Sequence, residues 1–204
     1  TLVQDYGSQT VGVANIMNQN GNRWKKLTYK YDLISGKVNS VAYNAGKIDQ
    51  FFHKYSYDAE NRLVTVYTSA DNLEWQEDAN YSYYLHGPLA RTVLGQQQVQ
   101  GIDYAYTIQG WLKGVNSMSN NAGSYDMGGD GGIGLGAQYV GRDAIGFGLN
   151  YYSGEYSPIN SGVSPFPGHS GLLPGGEYRP LYNGNISSMA VNIGVFNAPL
   201  LYNY

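Results

Sequence analysis

The chain has 204 residues and a net charge of −3, so it lacks the basic surface that nucleic-acid binding requires. It contains no cysteine, which excludes disulfide bonds and thiolate metal sites. Charged residues make up only 13% of the sequence, and 21 tyrosines and 28 glycines stand in their place. This composition is typical of many short strands joined by many turns.

The first predicted element is a hairpin near the N-terminus. Asn20-Gly21 is a strong hairpin signal, and the strand after it alternates large apolar and polar residues through Leu27, Tyr29 and Tyr31. Residues 44–46, Asn-Ala-Gly, predict a second turn. Because alternation with a period of two puts every second side chain on one face, these segments are predicted to be strands of a sheet.

Four segments then share one pattern: a strand ending in tyrosine, a polar turn, and a second strand rich in aliphatic residues. The leading tyrosines are Tyr31, Tyr57, Tyr84 and Tyr106, spaced 26, 27 and 22 residues apart. Each copy holds about two strands and two turns, too little to bury a core alone. We therefore expect the copies to pair edge to edge in one long antiparallel sheet.

The turns of these four copies contain residues suited to tight reversal of the chain. Asp and Asn side chains hydrogen-bond to their own backbone, and Gly adopts positive φ without strain. The predicted structural motif consists of Tyr31, Asp32, Gly36, Tyr57, Asp58, Asn61, Tyr84, Gly87, Tyr106 and Gly110.

This pattern closely resembles the RHS-repeat, or YD-repeat, family. Its signature is Tyr-Asp, a short turn with Gly or Asn, then a basic and an aliphatic residue, as in YDLISGKV (31–38) and YDAENRLV (57–64). In the third and fourth copies Leu85 and Thr107 replace the aspartate in this alignment. The similarity covers residues 20–118 strongly and 140–193 more loosely, and is greatest to very large secreted proteins of Bacteroidota-type bacteria.

The resemblance implies a fold and a role. In this family the repeats form a continuous β-sheet that spirals into a hollow shell, which commonly encloses a C-terminal toxin. It implies a secreted or cell-surface location, with the remainder of the parent polypeptide, its effector, the secretion machinery or surface proteins as partners. Because the chain begins at Thr1 and contains neither a shell-closing segment nor a toxin domain, we expect an interior slice of the repeat region.

The second half of the chain departs from the repeat. We predict YD-repeat hairpins over 1–118, a Gly/Asn-rich loop over 119–139, and further shell strands over 140–204 with a Pro/Gly-rich excursion at 153–180. The sequence resumes alternation after Asn183-Gly184, with strand candidates at Ile186, Met189, Val191 and Ile193.

The Gly/Asn-rich segment contains a literal G-x-G-x-x-G match at 129–134. Dinucleotide binding requires a preceding strand and a following helix, which the surrounding sequence does not predict. A flexible loop is the preferred interpretation, and calcium at Asp126 or Asp130 is the weaker alternative.

A search for catalytic residues finds no constellation. His53, His86 and His169 lack metal-ligand spacing, and the cluster of Glu74, Glu77 and Asp78 is interpreted as a solvated turn rather than a glycosidase pair. We therefore expect no enzymatic activity, no cofactor, no metal and no membrane span. The alternative to a shell segment is an adhesin-like module whose exposed tyrosines stack on sugars or bind partner proteins.

Overall fold

The computed structural model describes residues 4–5, 8–15, 24–118, 127–132, 137–159, 161, 164–166, 179–193 and 200–204. The described residues form strands and turns and contain no helix, which confirms the predicted all-β class. Accordingly, no described segment is a helix of the length and apolarity that crossing a membrane demands. The chain divides into two compact units, one of Thr1–Tyr81 with Leu94–Gln96 and one of Ser82–Val93 with Gln97–Tyr204.

The first unit is an antiparallel sheet whose strands follow the order of the sequence. Each strand pairs with the next one, from β1 to β7. The strands are β1 (Gln4–Asp5), β2 (Ser8–Asn15), β3 (Trp24–Tyr31), β4 (Val38–Tyr43), β5 (Phe51–Tyr57), β6 (Leu63–Ser69) and β7 (Gln76–Tyr83). The predicted turn at Asn20-Gly21 lies outside the described residues, whereas the predicted turn at 44–46 joins β4 to β5.

Cross-strand pairs, rather than a deep core, dominate the packing of the first unit. Among its described residues only Phe52 and Ala79 are buried apolar side chains. Tyr55 instead faces Val66 across the β5–β6 pair, and His53 stacks on Tyr55 with ring centroids 6.3 Å apart. Aromatic and β-branched cross-strand pairs each contribute roughly 0.2–1 kcal/mol, so the sheet is stabilised by many small terms.

The second unit is also antiparallel. β9 through β13 pair successively, and β8 precedes β9 in the strand order. Its strands are β8 (Leu89–Leu94), β9 (Gln100–Tyr106), β10 (Leu112–Val115), β11 (Ile145–Asn150), β12 (Ser188–Ile193) and β13 (Leu200–Asn203). Ile186, one of the strand candidates after Asn183-Gly184, does not lie in a strand. It precedes β12 and is 37% exposed.

A small apolar cluster forms the core of the second unit, made by Ala105, Met118, Phe166 and Ala190. Two glycines let the Phe166 ring lie against the sheet. A Cβ at Gly114 would overlap that ring, and a Cβ at Gly148 would lie 3.2 Å from it. Glycine in a strand often marks such a close approach.

Candidate functional site: hairpin turns and buried ion pairs

The turns that follow β5, β7 and β9 have the same backbone hydrogen bonds. After β5, Asp58 N donates to Arg62 O (3.0 Å), and Asn61 N donates to Asp58 O (3.0 Å). Tyr84 and Thr107 occupy the position of Asp58 in the other two turns. The turn after β3 is one residue longer, since Asp32 N donates to Lys37 O and Gly36 N to Asp32 O.

Each of the four turns ends in a residue with a left-handed backbone. The φ angles are 70° at Gly36, 62° at Asn61, 115° at Gly87 and 83° at Gly110. A type I turn followed by a left-handed residue is a common hairpin connection, and it inserts a bulge beside the turn. Strand pairing shifts at this point next to Tyr31 and next to Tyr57. These glycine and asparagine residues therefore occupy equivalent positions in a recurrent turn motif.

The structure corrects the alignment of the third copy by one residue. Tyr83, not Tyr84, is the last residue of its strand, as Tyr57 and Tyr106 are of theirs. Tyr84 takes the place of the aspartate, a role that the sequence alignment gave to Leu85. The error arose because two consecutive tyrosines precede a turn without aspartate. With this correction the copies begin 26, 26 and 23 residues apart.

The four tyrosines of the predicted motif contact their neighbours in different ways. The Tyr57 hydroxyl donates to Val38 O (2.8 Å) on β4, the strand paired with β5. The Tyr84 hydroxyl donates to Tyr104 O (2.7 Å), and its ring meets Tyr106 edge to face at 6.4 Å. Tyr31 stacks on Tyr29 within its own strand at 6.3 Å. Desolvation raises the pKa values of Tyr57, Tyr84 and Tyr106 above the ordinary tyrosine value.

The aspartate of the repeat holds its turn together. Asp58 Oδ1 accepts from Glu60 N (3.0 Å) and Arg62 N (2.8 Å), and Oδ2 accepts from Arg62 Nε (2.7 Å). Desolvation opposes ionisation of this carboxyl, but the hydrogen bonds and charge of Arg62 outweigh it and keep the pKa of Asp58 below its ordinary value. In the first copy the Ser35 hydroxyl and amide lower the pKa of Asp32 in the same manner.

We expect Asp58→Ala to lower the urea midpoint of unfolding, because it removes three acceptor interactions from one turn. The matched control is Glu74→Ala, at an exposed carboxylate in another turn. The folded pKa of Asp58 is depressed, so its contribution is present above the unfolded pKa and is lost as the pH falls through the folded one. The gap between wild type and Asp58→Asn should therefore close on acidification. A gap independent of pH would contradict this account.

A second recurrent position lies at the end of the second strand of a hairpin. The sequence analysis predicted the turn at 44–46 but missed the recurrence. Asn44, Gly95 and Asn116 have φ angles of 46°, 75° and 56°. Their amides donate to Lys26 O (2.8 Å), Asp78 O (2.8 Å) and Asp103 O (2.7 Å), in that order. The available signal was an asparagine or glycine directly after each aliphatic or aromatic strand end.

The Gly-rich segment of the second unit is partly buried around an ion cluster, and residues 127–132 contain neither strand nor helix. The Arg91 guanidinium forms ion pairs with Asp103 on β9 and with Asp130, whose side chain is fully buried. A Cβ at Gly101 or at Gly128 would overlap the guanidinium. Burial alone would lower the pKa of Arg91, but the two carboxylates raise it above its ordinary value.

A second buried ion pair joins β10 to the loop after β11. Lys113 Nζ donates to Leu149 O (2.9 Å), Asn150 Oδ1 (2.8 Å) and Glu155 Oε1 (2.8 Å). The side chains of Lys113 and Glu155 are only 4% and 7% exposed. Burial lowers the pKa of Lys113, and the interaction with Glu155 only partly offsets this.

The remaining candidates from the sequence lie apart. His53 packs between Phe51 and Tyr55, and His86 stacks on Tyr84 at 5.3 Å. His169 and Asp126 lie outside the described residues, as does the end of the G-x-G-x-x-G match. Within the described ranges no three His, Asp or Glu side chains are grouped so that they could hold a metal ion.

The sequence analysis interpreted the acidic cluster as a turn, and the structure shows that this interpretation is wrong. Glu77 and Asp78 are consecutive residues of β7, and only Glu74 lies in the turn before that strand. The pairing of β6 with β7 shifts register here, because Tyr67 pairs with Glu77 and Val66 pairs with Ala79, which leaves Asp78 as the extra residue of a bulge. Asp78 Oδ1 accepts a hydrogen bond from the Thr68 hydroxyl at 3.2 Å.

Comparison with known proteins gives no assignment: no family model matches the chain, and no curated protein matches it significantly. The resemblance to YD repeats therefore stays a prediction drawn from the sequence.

Proposed function

We propose that this chain is a non-catalytic segment of a β-sheet wall in a large secreted or surface protein of the RHS/YD-repeat type. In this role its strands would continue into those of the parent polypeptide. The wall would spiral into a shell that encloses or presents a C-terminal effector or toxin.

One observation carries this proposal: turns that end in a left-handed glycine or asparagine recur at steps of 26, 26 and 23 residues, between strands that follow the sequence order within each unit. A sheet can be extended by further hairpins when each hairpin repeats the same local hydrogen-bond pattern. A single binding or catalytic site would need only one such turn. The buried ion pairs of Arg91 and Lys113 fit a structural role, because both connect strands to loops.

The edge strand β13 offers a test. Among the described residues β13 pairs with β12 only, and Tyr202 in its middle is 50% exposed. Unprotected strand edges associate with other strands, and a lysine on such an edge suppresses this. We expect the 204-residue chain alone to self-associate with rising concentration, and Tyr202→Lys to shift it toward the monomer. Size-exclusion chromatography with light scattering measures both.

The matched control is Tyr139→Lys, which places the same charge at an 81% exposed tyrosine outside the strands. This variant should associate like the wild type. A wild-type chain that stays monomeric at every concentration tested would contradict the wall proposal. So would equal effects of the two lysine variants, since association would then not involve the sheet edge.

A further inference from the structure

A cluster of aromatic rings lies at the surface of the second unit, beside the turn of the fourth repeat copy. Tyr182 and Tyr152 are stacked, with ring centroids 4.9 Å apart and planes inclined by 24°. Trp111 meets Tyr152 edge to face at 6.5 Å. Tyr182 is 72% exposed although Tyr152 covers one face of its ring. The other face of Tyr182 is therefore open to solvent.

The segment that carries Tyr182 is held in place from both sides. Leu181 N donates to Tyr151 O (2.6 Å), and Ser187 N donates to Asn150 O (2.8 Å). Between them Gly184, with a φ of 85°, lies against the Trp111 ring, where a Cβ would come within 3.3 Å. The backbone that carries Tyr182 is thus held in place, and its ring rests on Tyr152, which reduces the entropy lost on binding.

One uncharged amide side chain contacts the stacked tyrosines, since the Gln109 amide donates to the Tyr152 hydroxyl. Asn183 and Asn185 follow Tyr182 in the chain and are exposed, and Asn183 Oδ1 accepts from Asn185 N at 3.1 Å. Each amide carries both donor and acceptor atoms, and none of these side chains is charged.

We propose that this platform, formed by Tyr182, Tyr152, Gln109, Asn183 and Asn185, binds a neutral sugar ring of a glycan. A pyranose has an apolar C–H face, which fits the open face of Tyr182, and a rim of hydroxyl groups, which the amides bind as donors and acceptors. An anionic or cationic ligand would find no opposite charge in these side chains. A proline-rich peptide fits less well, because such peptides dock in grooves lined by aromatic residues rather than on one flat ring.

The proposal goes beyond the wall function and does not depend on it. A shell segment that also holds glycans would attach its parent protein to a sugar-coated surface. The platform uses a loop and one turn of the second unit, and leaves the edge strand β13 out.

The test uses three neutral hexasaccharides, cellohexaose, maltohexaose and mannohexaose, with decaproline as the competing probe. Isothermal titration calorimetry measures affinity, and saturation-transfer NMR shows which ligand protons lie against the protein. We expect the wild type to bind at least one hexasaccharide. Tyr182→Ala should weaken that binding about tenfold, the scale of one aromatic contact, whereas Tyr182→Phe should keep it because the ring remains.

Tyr182→Leu is a second variant that keeps an apolar side chain and removes the flat ring, and it should weaken binding like alanine. Tyr139→Ala is the matched control, because Tyr139 is 81% exposed in the same unit. It should bind like the wild type. The proposal is overturned if no hexasaccharide binds, if only decaproline binds, or if the Tyr182 variants and the Tyr139 variant behave alike.

Discussion

Asp130→Ala is expected to lower the free energy of unfolding by about 1–3 kcal/mol, because one side of the buried Arg91 guanidinium loses its acceptor while Asp103 still balances its charge. The Asp130 side chain is fully buried and that of Arg91 is 16% exposed, so solvent cannot replace the lost partner. Urea or thermal unfolding followed by circular dichroism measures the change.

Two further substitutions distinguish the ion cluster from simple loss of packing. Asp130→Asn keeps the shape of the side chain but removes its negative charge. Arg91→Lys keeps the positive charge, but a lysine ammonium lacks the planar fork that reaches both Asp103 and Asp130. Both should destabilise the second unit, whereas Gln138→Ala, at an exposed residue nearby, should not. Normal stability of Asp130→Asn would show that the charges of the cluster contribute nothing.

Lys113→Met is expected to cost more, about 3–5 kcal/mol, because it buries the Glu155 carboxylate without its cation. The double variant Lys113→Met/Glu155→Leu should recover most of the loss, since a buried ion pair replaced by apolar side chains is often nearly neutral. A double-mutant cycle on unfolding free energies measures this coupling. Additive losses would mean that the two side chains act independently.

The pH dependence of the same variant has a definite sign. Burial lowers the pKa of Lys113 below the unfolded value, so unfolding takes up a proton between the two values. The stability of the wild type relative to Lys113→Met should therefore rise with pH across that window. If the stability of the wild type relative to Lys113→Met fell with pH instead, the ion pair with Glu155, not burial, would control the pKa of Lys113.

The strands and turns could be predicted from the sequence because their causes are local. Alternating residues define the faces of β3, β5 and β9, and a glycine or asparagine is needed wherever the turn requires a left-handed backbone. Gly36, Asn61, Gly87 and Gly110 are all used in this way. Only the predicted alignment of the third copy was wrong, by one residue, because nothing local in the sequence distinguishes Tyr83 from Tyr84.

The buried ion pairs and the aromatic platform could not be predicted, since their members are far apart in the sequence. Asp130 lies 39 residues from Arg91, and Glu155 lies 42 residues from Lys113. Charge and turn signals carry no information on which distant partner a side chain meets. The glycines around Asp130 indicated a loop by composition, and one of them, Gly128, also makes room for the Arg91 guanidinium.

The shared geometry of the turns has a consequence for how such a chain can change in length. A hairpin whose closing hydrogen bonds involve only its own residues can be copied or deleted as a block of about 25 residues, the repeat unit. The strands on either side of the block would meet the same kind of edge as before. Gene duplication could thus lengthen or shorten the sheet in whole hairpins, and the number of strands would follow the copy number.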